Sequence, residues 1–359
     1  MGLIKNILTE GGALYSVHEW ARRYDSKLVN CDTMLDHVLA RAIDQLFDSD
    51  RSSFMTKIVL AAIEKFDICM DTIHNDSTSI KTHGAYANQN KKATQLTRGH
   101  SKDHRPDLKQ IIYNLCITSD GAIPMYFKDY DGNTADISTH WETWKSVQGI
   151  LDRSDFLYIA DCKLCSKDLM DKIDRNSGKF ITVVPKNRNE VKEFAYKSYM
   201  SDIRWTEIQR KKVPCYPKRF EVISLADGLF QLEEGYRVLW YRSSEKKRRD
   251  KGDREERMEL ARQKLNDLKN HNIQNQEKKT IKSIKKLKGK VELIISKLRV
   301  SQWITYSITE DQIEEFKKVD KGRPSDESTY RRTIKKIPKL TFHDNHEALA
   351  KVEAMDGIF

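Results

Sequence analysis

Two aspartates occupy places where a carboxylate could bind a metal ion. Asp76 lies in the β-type stretch 72–80, and Asp161 directly follows the short apolar run 156–160. Carboxylates at strand ends are well placed to share a metal across a sheet, because strand geometry fixes their direction better than a loop does. A pair of Mg²⁺ ions held by carboxylates is the usual device for moving phosphodiester bonds. Aspartate is also common at strand ends and caps, so the pattern alone leaves a purely structural role open.

The segments around these aspartates alternate between strand and helix patterns. Residues 119–121 (Ser-Asp-Gly) form a turn signal between two apolar runs, and the run that ends at Asp161 has the pattern of a buried central strand. The predicted elements are strands at 72–80, 111–118, 123–127, 156–160 and 179–185 and a helix at 166–174. Strands alternating with a helix predict an α/β fold with a mixed sheet, which would position both aspartates.

The remaining segments are predicted to be helical at the beginning of the chain and mixed towards its end. Apolar residues within 35–46 follow helical spacing, and a second helix is predicted over 54–66. Further on, the predicted elements are a strand at 236–241, a charged helical stretch at 243–299 with a break near 270–272, and strands over 300–359 that finish with a turn entering a strand at 356–359. The break favours an antiparallel helical hairpin for the charged stretch.

Charge is concentrated in one part of the chain. The 359 residues carry 64 Lys and Arg against 53 Asp and Glu, a net charge of +11. Residues 245–299 contain 19 Lys and Arg and 9 Asp and Glu, which accounts for nearly all of this excess. A basic excess suits a polyanionic partner, chiefly nucleic acid. A solvated helical hairpin explains the same charges about as well.

Composition indicates a soluble protein of the cytosol. Hydrophobic residues make up 38% and charged residues 33%, enough apolar content for at least one core in a chain of two or three units. No apolar run approaches the roughly 18 to 20 residues that span a bilayer, and the first residues lack a signal-peptide layout. Among six cysteines only Cys162 and Cys165 form a CxxC, and no second pair completes a zinc set, so free or structural thiols are expected.

Four segments resemble one known group of enzymes. Residues 99–110 (GHSKDHRPDLKQ) look like the signature of a group of bacterial insertion-sequence transposases of the DDE type. Residues 76–79 (DSTS) with 84–86 (GAY) resemble the first-acid segment of that family. Residues 131–136 (DGNTAD) resemble its Gly-Asn-x-x-Asp block, and 158–161 (YIAD) the segment with its second acid. Order and spacing agree, and the resemblance covers most of the chain, most weakly between 190 and 300.

The resemblance implies an RNase H-like core with Asp76 as the first and Asp161 as the second catalytic and metal-binding acid. Asp71, the nearest rival of Asp76, lacks the Ser-Thr-Ser context. The implied domains are a helical N-terminal region (1–70), the first part of the core (71–190), an inserted region containing the charged helices (191–350), and the start of the C-terminal part of the core (351–359). For the N-terminal region, packing or dimerisation and recognition of DNA ends both stay open.

The implied activity is DNA transposition in the bacterial cytoplasm, at the nucleoid. A homodimer would bind the terminal repeats of its element, cut double-stranded DNA there with Mg²⁺, or Mn²⁺ in its place, and join the freed ends to target DNA, with no membrane involved. Within 99–110, the density of positive charge favours phosphate contacts by Lys102, Arg105 and Lys109. A solvated loop with Asp103 and Asp107 as internal partners is the other interpretation.

The third acid of the family is absent from its expected pattern. It typically lies in Tyr-x2-Arg-x3-Glu-x6-Lys, and none of the four tyrosines at 236, 241, 306 and 330 is followed by Arg three residues later. Glu255 and Glu256 lie on a predicted helix but lack those surroundings. We therefore expect a C-terminal truncation or a split reading frame. The alternatives are a catalytically inactive DNA-binding remnant and an RNase H-like nuclease without strand transfer.

Overall fold

The computed structural model describes most of the chain, namely residues 2–25, 27–29, 34–87, 89, 93–100, 105–214, 216–226, 231–274, 281, 283–319, 321–324, 326 and 328–359. The chain forms two compact units, Met1–Pro185 and Lys186–Phe359. Among the described residues, no helix is both long enough and apolar enough to cross a bilayer.

Five strands of the first unit form one mixed sheet in the order β3-β2-β1-β4-β5. Their bounds are Thr72–Thr82 (β1), Lys109–Thr118 (β2), Pro124–Asp131 (β3), Leu157–Ile159 (β4) and Lys179–Ile181 (β5). β1 to β3 run antiparallel to one another, whereas β4 and β5 are parallel to β1. This is the RNase H-like strand arrangement that the resemblance implies, so the predicted mixed sheet is confirmed. The predicted strands around both aspartates all exist, although β4 and β5 are shorter than the apolar runs.

One face of this sheet packs against helices. The helices of the unit are Gly2–Thr9 (α1), Val17–Ala21 (α2), Asp36–Asp48 (α3), Arg51–Phe66 (α4), Asp136–Leu151 (α5) and Lys167–Arg175 (α6), with a 3₁₀ turn at Leu14–Ser16. Every second residue of β2 is buried, as the period of a strand with one covered face requires. The core combines Ile73, Cys116 and Tyr158 of the sheet with Val59 of α4 and Trp144 of α5. A separate small cluster around Trp20 joins α1, α2 and α3.

The second unit contains helices and two further sheets. Its elements are Asn189–Met200 (α7), Thr206–Val213 (β6), Tyr216–Ala226 (β7), Trp240–Ser243 (β8), Ser244–Gln274 (α8), Ile284–Lys297 (α9), Ile304–Lys318 (β9), Tyr330–Asp344 (β10) and His346–Glu353 (α10). β6, β7 and β8 form one antiparallel sheet, and β9 pairs with β10 over their whole length. The strand predicted at 236–241 begins only at Trp240, and α10 replaces part of the strand region predicted over 300–359.

The predicted charged helical hairpin is present as α8 and α9. Ala261 and Leu265 of α8 are fully buried, as are Leu287 and Val291 of α9, and these four belong to one core with Leu340 of β10. Apolar residues four apart give each helix a single buried stripe, and the remaining positions are left to charged side chains. The predicted break near 270–272 is wrong by a few residues, because α8 continues to Gln274.

The last residues of the chain are tied to α8 and β8. Asp356 is buried and accepts two hydrogen bonds from Arg254 of α8, at 2.7 and 2.8 Å. Gly357 has a φ of +79°, and a Cβ there would lie 2.6 Å from the carbonyl oxygen of Ser243. The backbones of Phe359 and Tyr241 then exchange hydrogen bonds of 3.0 and 3.3 Å. The predicted turn at 356–359 is therefore present, but it leads into a single bridge between Ile358 and Arg242 of β8 and not into a strand.

A second ion cluster in this unit makes stability depend on pH. The guanidinium of Arg188 lies 2.9 Å from Glu190, whose side chain is only 11% exposed, and also binds Glu234. Hydrogen bonds from Arg188 hold the pKa of Glu190 at about 2, below its ordinary 4.5. A depressed carboxyl pKa contributes stability that is complete above pH 4.5 and is lost as the pH falls towards about 2.

We expect Glu190→Gln to lower the free energy of unfolding by about 2 to 3 kcal/mol at neutral pH. Urea unfolding of both proteins at neutral pH and near the lower end of this window measures the effect. The gap between wild type and variant should shrink in acid, because protonated Glu190 no longer gains from Arg188. A gap that is the same at both pH values would contradict the assignment.

Candidate active site

Asp76 and Asp161 lie side by side in the sheet. β1 and β4 are parallel, with Ile73 opposite Tyr158 and His74 opposite Ile159. Two further residues along both chains bring Asp76 opposite Asp161, just past the end of β4. Neighbouring strands are about 4.8 Å apart, and partners in register project from the same face. Ile73 and Tyr158 project into the helix-covered core. Because side chains alternate along a strand, Asp76 projects from the opposite face. Asp161 lies past the end of β4, and its carboxylate borders that face as well as the buried His140 of α5.

That other face forms an open concavity of about 510 Å³ around the two acids. Its lining includes His74, Tyr113, Leu115 and Ile159 together with both carboxylates. Asp76 is exposed, and the side chain of Asp161 is 48% exposed. A ligand approaching this face of the sheet can therefore reach both acids at once.

Local hydrogen bonds fix the backbone at each acid. Asp161 Oδ1 accepts from the backbone N–H of Lys163 at 3.0 Å, the geometry of an aspartate that begins a turn. The hydroxyl of Thr182 donates to the carbonyl oxygen of Asp161 at 2.6 Å. Asp76 Oδ1 accepts from the N–H of Ser77 at 2.8 Å. Each carboxylate thus keeps its second oxygen for another partner.

No lysine or arginine of the described residues forms an ion pair with Asp76 or Asp161. The rival acid Asp71 differs in this respect, because Arg153 hydrogen-bonds to it and lowers its pKa. Asp71 also precedes β1, five residues from Asp76, and its carbonyl oxygen accepts from Leu157 at the other end of the strand pair. Asp76 therefore lies beside Asp161, whereas Asp71 lies about 17 Å along the strand from Asp76.

The two carboxylates fit a divalent hard cation. Mg²⁺ and Mn²⁺ prefer carboxylate oxygens, and two adjacent acids without a lysine or arginine partner would repel each other less with a cation between them. Within the part of the chain that the structure describes, no group of three or more His, Cys, Asp or Glu side chains is placed to hold one ion. The two aspartates could therefore provide two oxygen ligands to such a cation.

Helix α5 braces both acids from the buried side of the sheet. The hydroxyl of Thr143 accepts from the amide of Asn114 at 2.6 Å, and Asn114 in turn accepts from Asn75, the residue before Asp76, at 2.7 Å. One helical turn earlier, Nε2 of the buried His140 lies 3.7 Å from Asp161 Oδ1. Sequence reasoning missed this set. The signal for Asn114 was a polar residue at a buried position of an apolar strand.

Loss of this bracing should be measurable as stability. We expect Thr143→Val to cost about 1 to 3 kcal/mol, because the buried amide of Asn114 loses its acceptor while the side-chain volume is kept. Thermal unfolding measures the change. Ser146→Ala on the same helix removes an exposed hydroxyl whose one hydrogen bond among the described residues is to the Glu142 carbonyl, and should change stability by less than about 0.5 kcal/mol. Equal effects of the two substitutions would argue against a bracing role.

The block at 99–110 packs against the block at 131–136. Gln110 is 1% exposed and donates to the carbonyl oxygens of Gly132 at 2.9 Å and His100 at 3.2 Å. A Cβ on Gly132 would lie 2.0 Å from the Gln110 oxygen, and one on Gly99 would lie 1.9 Å from the Gly132 oxygen. Both glycines are therefore required by close approach of backbones. The two blocks singled out in the sequence meet in space and support β2 and β3.

The basic side chains of this block have protein partners where they are described. Arg105 makes two hydrogen bonds to Asp107, at 2.8 and 2.7 Å, which lower the pKa of Asp107 to about 2. Lys109 donates to the carbonyl oxygens of Ala85 at 2.5 Å and Tyr86 at 3.1 Å, and so ties β2 to the segment after β1. Lys102 lies outside the described residues.

The cysteines of the predicted CxxC lie close to Asp161 in sequence. Cys162 and Cys165 fall in the turn after Asp161, where the N–H of Cys165 donates to the Cys162 oxygen. Neither forms a disulfide, and Cys165 is buried. Burial also raises the pKa of Cys116 to about 12, which keeps that thiol protonated.

No protein-family model matches the sequence, and the search of curated proteins finds no similar protein. Among solved structures, the piggyBac transposase synaptic complex with hairpin DNA is 12% identical, with a TM-score of 0.27. A Mos1 transposase paired-end complex with the left transposon end is 8% identical, with a TM-score of 0.23. These alignments cover 53% and 52% of this chain, but only 39% and 58% of those transposase chains, less than two thirds of either. A Mos1 mariner paired-end complex with Mn is 10% identical over 52% of this chain and 68% of that chain, with a TM-score of 0.22.

Proposed function

We propose that this chain is a DDE-type DNA transposase of a bacterial insertion sequence, with Asp76 and Asp161 as two of its three acids. The observation that carries the proposal is the register of β1 and β4, which sets these two acids side by side on one open sheet face. The four sequence segments that resemble such transposases support it, since two of them contain these two acids and the other two pack together beside the same sheet.

The proposed reaction has two steps. Water attacks a phosphodiester at an element end, so that a new P–O bond forms and a free 3′-hydroxyl leaves. That 3′-hydroxyl then attacks a target phosphodiester in line and expels a target 3′-hydroxyl. Mg²⁺ or Mn²⁺ bound by the acids would activate the attacking oxygen and stabilise the leaving one. Asp76 and Asp161 would hold the metal ion at a sheet face that DNA can reach, and the rigid strands fix the position of both carboxylates. No covalent bond between DNA and the protein is required.

The proposal includes a third acid from a segment encoded beyond the Phe359 codon. The resemblance places this acid on a helix after the inserted region, in the pattern Tyr-x2-Arg-x3-Glu-x6-Lys. Translation of the following DNA in all three frames tests this part. A matching segment in any frame supports a truncated or frame-split transposase, and its absence from all three frames would contradict this part of the proposal.

Double-stranded DNA is the proposed partner, bound by a homodimer. Residues 186–359 carry 41 Lys and Arg and 28 Asp and Glu, a net charge of +13, whereas residues 1–185 carry 23 and 25, a net charge of −2. The unit that contains Asp76 and Asp161 therefore gains little from phosphate attraction, and the second unit has to provide most of it.

The test is cleavage and joining of DNA by the protein together with any third-acid segment. The substrate carries the sequences that flank the coding region on both sides, and a plasmid serves as target. We expect nicks at fixed positions in Mg²⁺ or Mn²⁺, none in EDTA, and joined products. DNA binding without nicking would favour the inactive remnant, and nicking without joined products would favour a nuclease.

A further inference from the structure

Helices α8 and α9 differ in how their positive charges are balanced. α8 has ten Lys and Arg and seven Asp and Glu over 31 residues, and α9 has five lysines and one glutamate over 14. Five cations of α8 form ion pairs, namely Lys246, Arg248, Lys251, Arg254 and Arg262. In α9, only Lys288 has such a partner among the described residues, Glu292 at 3.8 Å. The charge of α9 is thus available to an external anion.

The packing of α9 fixes where its lysines point. Leu287 and Val291 are fully buried against α8 and β10, so the rotation of the helix is set. At 3.6 residues per turn, Lys286, Lys290 and Lys297 fall within about 40° of one another on an exposed flank. A rise of 1.5 Å per residue spreads them over about 16 Å, which equals about five steps along one DNA strand.

We propose that Lys286, Lys290 and Lys297, here called the α9 lysine stripe, bind the phosphate backbone of duplex DNA. The inference rests on the proposed function for the identity of the polyanion. Lysine is a point charge on a flexible stem, so the stripe would grip phosphates without reading bases. No aromatic residue lies within α9 that could stack on a base. The stripe therefore gives affinity that depends on salt and not on sequence.

The experiment measures binding of the full chain to a fluorescein-labelled DNA duplex by anisotropy, in EDTA, over a salt series. The test variant is Lys286→Gln, Lys290→Gln and Lys297→Gln combined. The control variant changes Lys167, Lys172 and Lys351 to Gln, three exposed lysines that already pair with a carboxylate and lie outside α9. Both variants lose the same charge. Circular dichroism and thermal unfolding check that both are folded.

We expect the slope of log K against log salt to decrease in magnitude by about three in the test variant and by less than one in the control. Equal slopes in wild type and test variant, or equal losses in both variants, would overturn the proposal, as would a wild-type protein that does not bind DNA. Stripe-dependent binding to anionic lipid vesicles, with no effect on DNA binding, would also overturn it. The outcome is separable from catalysis: DNA bound through the stripe but never nicked in Mg²⁺ supports this inference and counts against the proposed function.

Discussion

Asp76→Asn and Asp161→Asn are each expected to reduce Mg²⁺-dependent DNA nicking by on the order of a thousandfold or more. Each substitution removes a negative charge from a pair that no described lysine or arginine balances. Metal ions contribute several kcal/mol to the stabilisation of charge in such transition states, and 1.36 kcal/mol corresponds to a factor of ten in rate. Because Asn has nearly the same shape, the fold should be retained. Single-turnover nicking of end-containing DNA by the complete protein measures the effect.

Asp71→Asn is the matched control for this prediction. It removes a carboxylate that precedes β1 and pairs with Arg153, and it should leave nicking within a few-fold of wild type. A second variant, Asp161→Cys, replaces an oxygen ligand by sulfur. Since thiolates favour softer cations, activity should recover more in Mn²⁺ than in Mg²⁺. Normal nicking by Asp76→Asn or Asp161→Asn would show that the pair is not the catalytic centre.

Arg254→Met is expected to produce the largest loss of stability, about 3 to 5 kcal/mol in the free energy of unfolding. Arg254 is 3% exposed and Asp356 is 6% exposed, so the substitution leaves a carboxylate buried without its guanidinium. Two hydrogen bonds join the guanidinium to the two oxygens of Asp356, which is the geometry of a bidentate ion pair. Replacing both residues, by Met and Leu, should restore most of the loss, because the uncompensated charge is then absent.

Arg262→Met on the same helix is the comparison for this effect. Arg262 also makes a two-bond contact with an aspartate, Asp344, but its side chain is 39% exposed. Water screens that pair, so its removal should cost less than about 1 kcal/mol. Urea unfolding followed by tryptophan fluorescence gives the midpoints of all four proteins. A cost for Arg254→Met no larger than for Arg262→Met would mean that burial of the first pair has no energetic consequence.

The strands of the sheet were predictable because they depend on short patterns. Apolar runs with strand propensity located β1, β2 and β4, and the period of two residues decided which side chains face the core. Asp161 ends its run, and this alone indicated a strand end. The sequence could not give the parallel register of β1 and β4, since that pairing is fixed by packing between segments about 85 residues apart.

The supporting residues were harder to predict because their partners are distant in sequence. Thr143 and His140 are polar residues on a helix face. No local sequence pattern indicates that Thr143 contacts Asn114 or that His140 contacts Asp161. α10 is different, because its signal was present. Asn345 accepts from the N–H of Ala348 and caps a run rich in Ala, Leu and Glu, which are good helix formers. The prediction of strands over 300–359 did not take this helix signal into account.

The link between Arg254 and Asp356 has a consequence for synthesis of the chain. The two residues are 102 positions apart, and ribosomes add about 5 to 20 residues per second, so Arg254 waits about 5 to 20 seconds for its partner to be made. During the same interval, the edge of β8 that later pairs with Phe359 is unoccupied. An open strand edge beside an unpaired charge is a site where nascent chains can associate with one another. Slower growth at low temperature lengthens this interval. The yield of folded protein during expression should therefore depend more on the supply of chaperones than on the free energy of unfolding of the finished chain.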